Sequence, residues 1–296
     1  MCMAAIAVYS TQAQYYYNED YYEGDVIFDI GISPGVMNCL TDIGGKDGTG
    51  KKFLEDINWK NTKPCFSLYA AAIYRYAFTA ALTVTYGSVQ AYDSLLRNGA
   101  TSEQGRHKRN LSFKSSIAEV RLSMEAHPVY IFNWYTEGRA PRISPYLSAG
   151  LGFFHFNPKA AYKGRWYELQ PLHTEGQDFP GSAKTGYSLN QINMAIGGGV
   201  RYELSNSLNL HLEVIYRKLF TDYLDDVSTS YADPSLFFKY LPPELVGVAY
   251  HLADRRGELD PSHIPAAGGI RGDSRNKDAF FSIQLKVGIV LGRTSR

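Results

Sequence analysis

The residues from which catalytic and metal sites are usually built are scarce in this sequence. Only three cysteines and seven histidines occur in 296 residues. There is no CxxC, and no Cys–His spacing suited to zinc. HExxH is absent. Gly197-Gly198-Gly199 lacks the spacing of a phosphate-binding loop, and a strand pattern continues through it. Long apolar runs are missing too. No window of about 18 consecutive apolar residues occurs, so no helical membrane span is expected. Charge is modest and nearly balanced, 20% of residues with a formal net charge of +1. That gives no long-range attraction to nucleic acid. No cofactor is expected.

What is abundant is aromatic and small: 14% aromatics, 23 tyrosines and 27 glycines. Tyrosine suits surfaces that meet apolar and wet surroundings together. Eight segments alternate with period two over a length that crosses a bilayer as a tilted strand. They are 26–38, "CFSLYAAAIYRYAF", "TAALTVTYGSVQAY", 114–126, 143–156, "LNQINMAIGGGVRYEL", "SLNLHLEVIYRKLF" and 278–291. The links after the first, third, fifth and seventh are long, about 25, 22, 32 and 56 residues, which soluble domains rarely tolerate. The expected fold is therefore all-β: an eight-stranded antiparallel transmembrane β-barrel spanning 25–292, with short periplasmic turns and long extracellular loops. Both termini fall in the periplasm, and 220–277 forms the longest loop.

In a membrane barrel the apolar face meets lipid and charges point inward. The inward set is Asp29, Arg75, Glu119, Arg121, Glu125, Arg201, Glu203, His211, Glu213, Arg217 and Lys286. It holds both signs, as buried charges require, and reads as a plugged structural interior. A proton path or catalytic cluster is the alternative. Gly150, Gly152 and Gly197–Gly199 mark tight curvature or close packing.

Residues 1–13 approximate a signal peptide, with small residues before Gln14 and a start that falls inside the true signal. Residues 14–24 follow as a periplasmic segment. Cys39 and Cys65 lie at the ends of consecutive strands, and are either a disulfide or two free, buried thiols. "FTDYLDDVSTSYADP" opens the longest loop. Its Asp222, Asp225, Asp226 and Asp233 are weak cation candidates; as turn and amide caps they are better accounted for. The rest of that loop is expected to form short helices over the mouth, one starting at Pro242-Pro243. Phe132, Trp134 and Tyr135 form an aromatic belt edge at the periplasmic side that doubles as a candidate partner contact. "QGRHKRN" (104–110) is read as an exposed basic loop suited to anionic glycolipid. Ser88 and His155, near outer strand ends, are the weak starting point for a lipid-modifying enzyme.

The order of strands and loops resembles the small outer-membrane β-barrel component of the type IX secretion system of the Bacteroidota. The stretches that carry the resemblance are "FTDYLDDVSTSYADP", "IRGDSRNKDAFFSIQLKVGIVLG", "SPYLSAGLGFFHFNPKA", the "YRYAFTAALTVTYG" hairpin and "DIGISPGVMN". The resemblance covers 25–292. It implies a non-enzymatic outer-membrane part that couples to a periplasmic ring built from a lipoprotein and a soluble partner. The machine exports cargo with C-terminal sorting domains and in some species supports gliding. The alternative is a general small barrel for envelope integrity or adhesion, with outer-membrane lipid as its surroundings.

Overall fold

The computed structural model describes residues 25–44, 58–95, 101–132 and 141–293. Residues 1–13 and 14–24, and with them the signal-peptide reading, lie outside the described residues. Eight long strands build the wall: β1 (Val26–Leu40), β2 (Lys63–Tyr74), β3 (Phe78–Tyr92), β4 (Ser112–Ala126), β5 (Ile143–Tyr162), β7 (Asn190–Ser205), β8 (Leu208–Leu219) and β9 (Ala279–Leu291). Every neighbouring pair is antiparallel. β9 returns to β1 with Phe28 opposite Leu291 and Leu40 opposite Ala279, and β4 pairs with β5, so the sheet closes. Closure leaves no unpaired wall edge, the condition for placing strands in hydrocarbon.

A ninth strand, β6 (Arg165–Glu168), was not expected. It folds back on the end of β5, with Tyr162 opposite Arg165. Lys163 and Gly164 both have positive φ, 48° and 78°, the backbone of a tight two-residue hairpin. β5 accordingly runs six residues beyond its expected end at Phe156. One end of the barrel is joined by residues 75–77, 127–142 and 206–207; the other carries 41–62, 93–111, 163–189 and 220–278. They are called here the turn end and the loop end. Helix α1 (Thr101–Arg109) stands at the loop end and the short α2 (Pro128–Ile131) at the turn end.

Alternation assigns the two faces. On β4, Ala118, Val120, Leu122 and Met124 are exposed while Ile117, Glu119, Arg121, Ser123 and Glu125 are buried. Exposed aromatics mark both limits of the outer apolar band. Phe66 faces Tyr86 across β2–β3 at the loop end, and Tyr74 faces Phe78 at the turn end. Phe78 and Tyr86 are eight residue steps apart, roughly 27 Å along the strand. A closed wall with an apolar, aromatic-edged outside and a charged inside is the build of a transmembrane barrel. Among the described residues no helix is long and apolar enough to cross a membrane.

Arg75 is the one member of the inward set that lies elsewhere. β2 ends at Tyr74, and Arg75 and Tyr76 occupy the hairpin turn with φ of 46° and 56°. The Arg75 guanidinium is exposed and pairs with Asp25 at 2.8 Å. The turn reverses the alternation, so Tyr76 is the residue that points inside, stacked on Tyr130 at 5.5 Å.

Cys39 and Cys65 are free, buried thiols. Cys65 stands opposite Gly35, four residues from Cys39, or roughly 13 Å of strand. That excludes a disulfide. The Cys39 thiol donates to Gln90 O, and Cys65 Sγ accepts from Gln284 Nε2.

Candidate functional site

The barrel interior is filled in successive storeys. At the turn end Arg201 lies against the rings of Tyr76 and Tyr130, 5.6 and 5.7 Å from their centroids. Glu203 pairs with Arg293 at 2.9 Å. His127 Nδ1 lies 2.9 Å from Ser144 Oγ. Above this storey, Asp29 accepts from Tyr69, Asn209 and His211. Lys286 lies between Glu213 (2.8 Å) and Glu125 (3.4 Å), and Glu213 also holds Arg121 (3.1 Å) and the Tyr146 hydroxyl (3.0 Å). At mid-height Arg217 Nε bonds both oxygens of Glu119 at 2.9 Å, while its Nη1 donates to Ser282. Asn193 gives Glu119 a further bond at 2.8 Å.

All these charges are excluded from solvent, so each needs a partner of opposite sign. Facing strands supply one to Arg121, Arg217 and Lys286, whereas Arg201 lies against two tyrosine rings instead. Glycines make room: a side chain on Gly152 would collide with Glu119 and Asn193, and one on Gly288 with Asp29 and Tyr69. The glycines read as curvature markers thus also act as sockets for the polar network.

Toward the loop end the charged storeys give way to an apolar plug. Phe113, Phe154, Phe156 and Phe280 pack with Ile117, Met37 and Val89. Phe154 stacks on Phe156 at 5.6 Å and meets Phe280 edge-on at 5.7 Å. The segment 220–278 descends onto this plug with Leu224 and Val227. It then covers it with α3 (Pro234–Tyr240) and α4 (Pro243–Ala253), which bury Phe237, Ala249 and Leu252. α4 begins at the proline pair, where a missing N–H costs nothing.

The four aspartates divide into two roles. Asp233 is exposed and caps α3 by accepting from Ser235 N at 2.9 Å. Asp222, Asp225 and Asp226 are buried. Asp225 accepts from Ile43 N (2.8 Å) and Val227 N (2.9 Å); Asp226 accepts from Thr174 Oγ1 (2.5 Å) and the Tyr187 hydroxyl (2.7 Å). Asp222 accepts from Ser228 Oγ, and Asp278 takes Leu224 N. Among the described residues no group of His, Cys, Asp and Glu is disposed to hold a metal ion.

Burial pushes the Asp222 carboxyl up to about 7. It also pushes Asp226 up to about 6, against the pull of the Arg271 guanidinium. Burial raises Asp225 and Asp278 as well, and each is raised further by a neighbouring aspartate.

Arg271 ties the cap together. Its guanidinium donates to Glu175 (3.2 Å), Asp226 O (2.6 Å) and Ala253 O at the end of α4 (3.2 Å), and its carbonyl accepts from Arg109. Glu175 in turn accepts from Ser228 N, Thr229 N and Thr229 Oγ1. Arg109, at the end of α1, pairs with buried Asp93 at 2.8 Å. This corrects the reading of "QGRHKRN" as a freely exposed basic loop. Arg109 is internal and Arg106 holds Gly44 O at 2.9 Å. Glu175, Arg271, Arg109, Asp93 and Asp278 were missed as site residues because each acts across a long sequence separation.

Phe132 is exposed beside α2 at the turn end; Trp134 and Tyr135 lie outside the described residues. His155 Nδ1 is engaged by Asn190 Oδ1 at 2.9 Å, and Ser88 stands two strands away on β3.

No family model and no curated protein matches the chain. Among solved structures it overlaps with Ail, the attachment invasion locus protein of Yersinia pestis, at 9% identity and TM-score 0.36, over 91% of this chain and 99% of that one. The N-terminal β-barrel domain of Pseudomonas aeruginosa OprF gives 8% and 0.33, over 90% and 98%. A major outer membrane protein of Thermus thermophilus gives 10% and 0.34, over 90% and 100%. At these scores the overlaps identify no family.

Proposed function

We propose that this chain is a non-enzymatic, non-conducting barrel of the outer membrane, with its loops outside and its termini in the periplasm. It serves as an anchor that holds a folded cap at one surface and short turns at the other. The observation that carries this reading is the filling of the lumen from end to end: paired charges, then a phenylalanine plug, then α3 and α4. A barrel of eight strands has little room beyond its own side chains. Reconstituted in a planar lipid bilayer, the full chain is expected to give no steady ion conductance; stable open channels would overturn the reading.

A second reading is coupling to the type IX secretion ring. It is supported by the arrangement of the two stretches most characteristic of the resemblance. "FTDYLDDVSTSYADP" and "IRGDSRNKD" meet in one buried unit, through Arg271 to Asp226, Asp278 to Leu224 and the Ser230–Ile270 bridge. On this reading the ring lipoprotein and its soluble partner dock at the turn end, where Phe132 is exposed. Capture of the chain from detergent-solubilised outer membranes is expected to recover both, with recovery reduced several-fold when Phe132 and Trp134 are replaced by serine. Capture without either protein removes this reading and leaves the anchor intact.

A further inference from the structure

The outer wall carries a groove of about 580 Å³ where the apolar band meets the loop end, lined by residues of β2 to β6. It is built row by row. Lys114 on β4 stands directly opposite Lys159 on β5, which stands opposite Glu168 on β6. Two like charges facing each other across a ladder destabilise it. Glu168 answers one of them, binding Lys159 at 2.9 Å. The Lys114 ammonium lies over the Trp166 ring, 5.9 Å from its centroid, so the row holds one cation in excess. In the next row toward the turn end, Ser88, Ser116 and Asn157 stand side by side. One row further is Phe66, Tyr86, Ala118 and His155, where the apolar band begins.

The groove exists because Ser88, Ser116 and Ala118 are small between large neighbours. Its aromatic walls are open to the surroundings: Phe66 is 45% exposed, Tyr86 66% and Trp166 52%. It therefore offers an unmatched positive charge and hydroxyl donors at one end, and a channel onto apolar wall at the other.

We propose that this groove binds the phosphate-bearing headgroup of a lipid in the leaflet at the loop end. The phosphate sits against Lys114, Lys159 and the serine row, and an acyl chain runs down the wall below Tyr86. The inference rests on the membrane-barrel reading. A lipid fits better than a soluble anion because the cationic row adjoins the apolar band two rows away, and aromatic rings with one wet and one apolar side suit that boundary. An anion between Lys114 and Lys159 also relieves the repulsion that the ladder register imposes.

The test uses the full chain purified in a non-ionic detergent, with bound lipid counted by native mass spectrometry. The probes are lipid A carrying two phosphates, the same lipid freed of phosphate, and inorganic phosphate. One lipid A per barrel is expected, bound at least tenfold more weakly by Lys114→Glu and by the Lys114→Glu, Lys159→Glu pair. Lys114→Glu alone leaves the Lys159–Glu168 bridge in place. Lys218→Glu reverses an exposed lysine on β8, a strand outside the groove, and is expected to bind as the unaltered chain does. Equal binding of the phosphate-free lipid, equal weakening by Lys218→Glu, or displacement by millimolar inorganic phosphate would each overturn the proposal. Heat-dependent gel mobility of the same samples reports the barrel separately. A barrel that keeps its mobility but retains no lipid refutes the groove alone; a chain without that mobility refutes the membrane reading first.

Discussion

Arg217 shows what single residues contribute. It is wholly buried, its Nε held by both oxygens of an equally buried Glu119, and its guanidinium lies 5.0 Å from the ring centroid of Phe280. It sits where the charged storeys meet the phenylalanine plug. Removing one member of such a pair strands the other without water. Arg217→Met is expected to cost about 3–5 kcal/mol of stability, measured by denaturant titration of the folded barrel in micelles. The double replacement Arg217→Met with Glu119→Gln should recover most of that loss, because both charges are then gone. A single variant as stable as the unaltered chain would show that the pair does not hold the interior. Glu119 and Arg217 were legible as inward residues because strict alternation places them on the charged face. Arg75 misled for the opposite reason: its turn uses Arg and Tyr at positive φ instead of the usual Asn-Gly, so nothing local marks the place where the alternation reverses.

Among elements, the segment 220–278 behaves unlike the wall. Its helices and turns rest on buried carboxylates whose pKa values are raised, Asp226 to about 6 and Asp222 to about 7. The ordinary aspartate value is near 3.8. A carboxyl raised in the folded state binds its proton more tightly folded than unfolded. Its contribution is therefore fully present below the unfolded pKa and is lost as pH rises through the folded one. The cap is expected to loosen between about pH 4 and 7, read as faster proteolysis within 220–278 at pH 7 than at pH 4 while the wall stays resistant. Asp222→Asn with Asp226→Asn should lessen that dependence, since an amide does not titrate, and leave the part that Asp225 and Asp278 contribute. A cap cleaved equally at both pH values would refute the assignment. The helices themselves were foreseeable, because Pro242-Pro243 and Asp233-Pro234 are ordinary helix starts. The inward turn of Asp222, Asp225 and Asp226 was not, because it depends on Ile43, Thr174, Tyr187 and Arg271, drawn from other loops and from the far end of the same one.

Across the whole molecule, what could be read from the sequence follows the range of the interaction responsible. Period-two patterning is local, and it reports the wall strands, their facing and most of the charged interior. Closure needs one further constraint, that hydrocarbon tolerates no open edge, and β9 pairs with β1 accordingly. The β5–β6 hairpin carried its own mark in Lys163-Gly164 between alternating residues, a signal that could have been used. The lysine row could not be seen in advance: Lys114 and Lys159 are ordinary apart and acquire meaning only when the register sets them opposite one another. The three surfaces with functional promise are built by separate means. Phe132 belongs to a turn, the outer groove to the register of β2 to β6, and the cap to the network around Arg271. Few contacts are shared among them, so substitutions at one should leave the others intact. A chain organised in this way keeps the outer groove, the cap and the Phe132 turn on separate parts of one wall, with the paired charges of the lumen packed between its two ends.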